Sequence, residues 1–175
     1  MKYHLMGIDP GKNGGIGVYY ELTEPLEMGD SLGPEPWVVR AYKPPVHAAE
    51  MRKVIERLVF TEGPQRPWHI YLENVPSFTG KGIPESRAFT LGKQVGLIEG
   101  VIVGLGVPLF QVRPQEWAKV VGVGTRGTRS RVEWKAYLKS TAAAMFPTCK
   151  VINATSDALL VLRYAMLVEK QGAEK

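Results

Sequence analysis

The stretch Gly7-Ile8-Asp9-Pro10-Gly11-Lys12-Asn13-Gly14-Gly15-Ile16-Gly17 constrains this chain more than any other. An apolar strand runs into an aspartate, a glycine turn reverses the chain, and another strand leaves the turn. A second acid, Glu73, ends the strand His69-Ile70-Tyr71-Leu72-Glu73. A third, Asp157, opens the last helix in Ser156-Asp157-Ala158-Leu159-Leu160. Carboxylates at the ends of three elements, on a basic chain, point to metal-dependent chemistry on a nucleic acid.

Hydrophobic periodicity predicts the rest. Strands are expected over 3–9, 16–20 and 37–42, an antiparallel meander interrupted by a Gly- and Pro-containing loop at 23–36. Residues 46–60 carry apolar side chains at helical spacing, and Gly63-Pro64 stops that helix. A strand at 68–73, an exposed loop at 75–85, a long helix at 86–104 and a strand at 107–112 follow. Pro114 suits the first turn of a short helix to 121. Residues 122–131, with three glycines and three arginines, read as a mobile basic loop; helices over 132–146 and 155–169 complete the chain. This order is α/β: three antiparallel strands, then two parallel ones joined through helices, with helices flanking the five-stranded mixed sheet. It resembles the ribonuclease H-like fold.

The 175 residues fit a single domain over 1–170, with a short disordered tail at 171–175. Twenty-two Lys and Arg against 17 acids leave a net charge of +5, compatible with a polyanionic partner. Cys149 is the only cysteine, so an internal disulfide is excluded and a reducing, cytoplasmic setting is expected. No basic-then-apolar leader opens the sequence. The most apolar segment, 95–110, contains Glu99, four glycines and Pro108 and is too short to span a bilayer easily, so no membrane partner is expected. Cys149 with the scattered His4, His47 and His69 makes no zinc pattern.

Carboxylates suit the hard cation Mg²⁺. Two such ions about 3.5–4 Å apart can activate water and stabilise the leaving oxygen of a phosphodiester. Asp9 is the best bridging candidate. Asp157 would reach the same point from the first turn of a helix, where negative charge is favoured. Each acid also has a plain reading: Asp9 as a turn starter, Glu73 as a solvated strand end, Asp157 as a helix-terminus charge. Their joint placement weighs against all three plain readings holding together. Asn153 is equally a helix cap or a neutral metal ligand.

Gly7-Ile8-Asp9-Pro10-Gly11, Tyr71-Leu72-Glu73 and Ser156-Asp157-Ala158-Leu159-Leu160 resemble the metal-site motifs of RuvC-type Holliday junction resolvases. Val112-Arg113-Pro114-Gln115-Glu116-Trp117 and the helix ending at Phe146-Pro147 extend the likeness, in the same order, over most of the chain. The turn from Asp9 to Gly15 is more similar to phage and related bacterial members. The resemblance implies a homodimer that depends on Mg²⁺ or Mn²⁺ and cuts four-way DNA junctions by paired nicks. It implies that Asp9, Glu73 and Asp157 hold the metals, and that Lys135 acts near the scissile phosphate. For a phage-encoded chain the setting would be the bacterial host cytoplasm. The family usually carries another acid or histidine three or four residues before the last aspartate; this chain has Ala154 and Asn153 there.

Arg126, Arg129 and Arg131 offer phosphate contacts in the basic loop. Lys135 and Lys139, four apart, share a helix face. Phe78, in the polar loop with Lys81, is a candidate to stack on an unpaired base, Lys81 a candidate phosphate contact. The helix at 86–104, with Leu97, Ile98, Val101, Ile102 and glycines at 96, 100 and 104, is a candidate dimer seam, or packs on its own sheet. Three alternatives stand beside the resolvase: a broader branched-DNA nuclease, a non-catalytic junction-binding protein, and an actin-like sugar kinase. The chain is too short for the two lobes of the last.

Overall fold

A computed structural model describes residues 2–11, 13–21, 37–45, 47–62, 66–74 and 85–173. Strands β1 (His4–Asp9), β2 (Gly15–Glu21) and β3 (Trp37–Tyr42) form the meander. Helix α1 (Ala48–Glu56) leads through a π-helical turn, Arg57–Glu62, to β4 (Trp68–Glu73). Helix α2 (Glu85–Gly104), β5 (Leu109–Val112), α3 (Pro114–Val121), α4 (Arg131–Met145) and α5 (Ser156–Ala173) complete the order. The sheet runs β3-β2-β1-β4-β5. β1 pairs antiparallel with β2 and parallel with β4, and β4 pairs parallel with β5. This is the mixed sheet expected from the sequence.

Alternation along the strands sorts the side chains onto two faces. Met6, Ile8, Ile16, Val18, Ile70 and Leu72 meet α1 and α2 through Met51, Ile55, Ile98 and Ile102. Leu5, Tyr71 and Val112 meet α3, α4 and α5 on the other face. Asp9 and Glu73 share the parity of Leu5 and Tyr71, so both look toward α5. In α5, every residue from Ala158 to Leu162 is fully buried. At roughly 1.5–3 kcal/mol per buried large aliphatic side chain, that segment anchors the helix firmly.

Two glycines set how closely α5 lies on the sheet. A Cβ at Gly7 would stand 2.4 Å from the Leu162 backbone nitrogen and 2.6 Å from the Ala158 carbonyl oxygen. One at Gly15 would stand 2.7 Å from the Ala154 carbonyl oxygen. Helix backbone therefore rests directly on strand backbone, a contact no other residue type permits.

Several boundaries differ from the sequence reading. The π-helical turn extends α1 as far as Glu62, β5 begins at Leu109, and α5 continues to Ala173, into the stretch read as a tail. Ile98 and Ile102 are fully buried against the chain's own sheet, while Gly92, Gly96, Gly100 and Gly104 face open space. The expected loop at 23–36, and Phe78 and Lys81 in the loop at 75–85, lie outside the described residues. Among the described residues no helix is long and apolar enough to cross a membrane.

Candidate active site

Sheet register brings the first two acids together. Ile8 pairs with Leu72 across the parallel strands β1 and β4. One step further, Asp9 and Glu73 stand side by side at the carboxyl ends of adjacent strands, which lie about 4.7–4.9 Å apart. The seating of α5 on Gly7 and Gly15 delivers the third acid, Asp157, from above. Each carboxylate is then held by a specific donor. Gly11 N donates to Asp9 Oδ1 at 3.1 Å, so the turn-starting role is real and coexists with the cluster. Trp117 Nε1 donates to Glu73 Oε1 at 3.3 Å. Ser156 Oγ donates to Asp157 Oδ1 at 3.0 Å, and Lys135 Nζ forms an ion pair with Asp157 Oδ2.

The electrostatics follow from this crowding. Burial, then repulsion from Asp157, raises the Asp9 pKa above the ordinary carboxylate value; the Gly11 N–H and Lys135 oppose the rise. Burial, Asp9 and Asp157 push the Glu73 carboxyl up to about 8, against the smaller pull of Trp117 and Lys135. Adjacent acids that resist ionisation need positive charge. Lys135 is one source, and a divalent cation held by oxygen donors would be a stronger one. The donor set of Asp9, Glu73 and Asp157 is all hard oxygen and fits Mg²⁺ or Mn²⁺. Among the described residues no three His, Cys, Asp or Glu side chains are grouped as a ready-formed metal site.

The remaining candidates fall into two groups. Arg126, Arg129, Arg131 and Lys139 are exposed on the 123–130 loop and α4, with Arg131 and Lys139 one turn either side of Lys135. The loop is more constrained than its composition suggests. A reciprocal capping box between Ser130 and Glu133 closes it onto α4, and Arg129 stacks over Tyr137 at 4.8 Å and Trp134 at 5.8 Å. Asn153 is exposed in the turn before α5; its backbone carbonyl oxygen lies 3.1 Å from Ser156 Oγ and shares that hydroxyl's one proton with Asp157 Oδ1, and the residue lines a groove against α4.

Sequence reasoning missed Trp117 and Ser156 as supports of the acids. Trp117 sits in the Arg113-Pro114-Gln115-Glu116-Trp117 motif and is only 4% exposed. A buried indole N–H must find an acceptor, and that requirement was the available signal. Nothing local marks Ser156, because its role depends on how α5 begins.

A mixed five-stranded sheet in the order β3-β2-β1-β4-β5, flanked by helices, is the ribonuclease H-like fold. The solved structures it resembles include Thermus thermophilus RuvC, with a TM-score of 0.58 and 14% identity over 97% of this chain and 96% of that one. T. thermophilus RuvC in complex with a Holliday junction substrate superposes with a TM-score of 0.56 and 12% identity over the same shares. At such identities the likeness establishes the fold. No family model matches the sequence, and no curated protein matches it.

Proposed function

We propose that this chain is a metal-dependent, structure-selective endodeoxyribonuclease that resolves four-way DNA junctions by paired nicks. The observation that carries the reading is the convergence of Asp9, Glu73 and Asp157, with Lys135 among them, at one end of a RuvC-like sheet. Mg²⁺ or Mn²⁺, when bound, would supply an activated water and charge stabilisation at the leaving oxygen. Asp9, Glu73 and Asp157 would hold it. Trp117 and Ser156 keep Glu73 and Asp157 oriented. Lys135, which pairs with Asp157, would stand beside the reacting strand and neutralise the scissile phosphate. Arg126, Arg129, Arg131 and Lys139 bind flanking phosphates, so affinity falls steeply with salt. Phe78 stacks on a base at the crossover and Lys81 contacts phosphate nearby. No covalent enzyme intermediate forms.

The junction's near two-fold symmetry is matched by a C₂ homodimer with two equivalent sites. The open glycine face of α2 supports a seam there, beside Phe89 and Val103, which are 75% and 67% exposed. The Asp9-to-Gly15 turn supports a phage-like member working in a bacterial cytoplasm.

The test is nicking of synthetic junctions, forks, flaps and duplexes in Mg²⁺ and Mn²⁺. The Glu73→Gln variant is expected to lose cleavage while binding junctions normally; retained cleavage would remove Glu73 from the chemistry. Equal cutting of forks and flaps would select the broader nuclease. A non-catalytic junction-binding protein is the second reading, favoured by the uncharged Asn153; wild-type chain that binds junctions but nicks none with either metal would select it.

A further inference from the structure

Next to Lys135 on α4 lies a second feature, of which the nuclease reading uses only Lys139. Val132, Ala136, Lys139, Ser140 and Ala143 form one face of α4, and with Asn153 they line an open cavity of about 320 Å³. The face is distinct from the stripe at Leu138 and Ala142 that packs into the core. Lys135 is one turn from Lys139 on the same helix face, so the groove lies next to the Lys135–Asp157 ion pair. Asn153 belongs to the turn that leads into Asp157, and borders the same groove from the other side.

We propose that this groove carries the DNA strand as it leaves the carboxylates, and that Asn153 is a strand contact there rather than a metal ligand. The inference rests on the nuclease reading. Its chemistry is that of a sugar–phosphate chain. The groove's lining includes the exposed small apolar side chains Val132, Ala136 and Ala143, which allow a deoxyribose to approach closely. Beside them Lys139, Ser140 and Asn153 present an ammonium, a hydroxyl and a carboxamide, all able to donate to phosphate oxygen. No carboxylate lines the groove to repel a polyanion. A neutral carboxamide suits this place, where an aspartate would meet a phosphate with like charge. The departure at Asn153 is thereby explained without assigning it a metal.

Two measurements on the full-length protein separate the roles. Binding of a fluorescent four-way junction is measured in EDTA, and Mn²⁺ binding to DNA-free protein by electron paramagnetic resonance. Asn153→Ala and Lys139→Ala are each expected to weaken junction binding about tenfold, as loss of a phosphate contact does. Asn153→Asp should weaken it more, and both Asn153 variants should bind Mn²⁺ as wild type does. The inference is overturned if Asn153→Asp tightens Mn²⁺ binding severalfold, or if Asn153→Ala binds the junction unchanged. It also falls if Ser140→Glu alters oligomeric state without altering DNA affinity, which would make the groove a seam between copies. Wild-type protein that binds no branched DNA overturns the nuclease reading and this inference together; variant defects are read only against a wild type that binds.

Discussion

Replacing Glu73 with Gln should make the metal-free protein more stable at alkaline pH, although it removes a residue from the centre of the site. Glu73 ionises at about 8 in the fold because burial, Asp9 and Asp157 oppose its charge; its ordinary value is 4.5. The unfolded chain therefore loses this proton first. Between pH 4.5 and about 8 the native state binds one proton more than the unfolded state, so stability falls as pH rises through that window. The full displacement corresponds to a ceiling of about 5 kcal/mol, and solvent relaxation around this incompletely buried group reduces the expectation to about 1–3 kcal/mol. Asp9, raised in the same sense, adds to the slope. Glutamine carries no charge and its carbonyl can still accept from Trp117. Urea unfolding followed by tryptophan fluorescence in EDTA, at pH 5 and pH 8, measures the effect. Wild type should lose stability between the two, Glu73→Gln should lose less, and the variant should be the more stable at pH 8. Adding Mg²⁺ should restore wild type more than the variant. A variant no more stable than wild type at pH 8 would refute the claim that the carboxylates repel one another in the fold.

Gly7→Ala should cost about 3 kcal/mol or prevent folding, because its methyl group would meet the backbone of Leu162 and Ala158; a urea midpoint equal to wild type would contradict the seating of α5. Gly96→Ala meets no atom within 4 Å and should stabilise the monomer by up to about 1 kcal/mol through helix propensity. If α2 is the dimer seam, sedimentation should show the same variant dissociating more readily, and an unchanged dimer would move the seam elsewhere. Glu169 accepts from the Tyr71 hydroxyl at 2.7 Å and bonds His69 Nδ1 at 2.5 Å, so Glu169→Ala should destabilise by about 1–3 kcal/mol. Thermal unfolding tests this, and an unchanged midpoint would show that the bonds contribute nothing net.

Much of this protein was written locally. Alternation in Leu5-Met6-Gly7-Ile8-Asp9 marks a strand with two different faces, and Asp9 and Glu73 are visible as strand ends because polar, glycine-rich or proline-rich sequence follows them. Pro114 announces α3, whereas the capping box of Ser130 and Glu133, which starts α4 at Arg131, emerged only from the structure. The local signals act over a few residues, so they survive without the rest of the chain. Other features were decided only in three dimensions. The pairing of Ile8 with Leu72 makes neighbours of acids 64 positions apart in sequence. The glycine contacts under α5 set the height of Asp157, and Gly7 in sequence does not say which backbone will lie against it. The partnership of Lys135 with Asp157, the support of Glu73 by Trp117, and the placing of Asn153 against α4 all depend on packing between elements. Such contacts come from surfaces that exist only after the elements have formed, and no local pattern encodes which surfaces will meet.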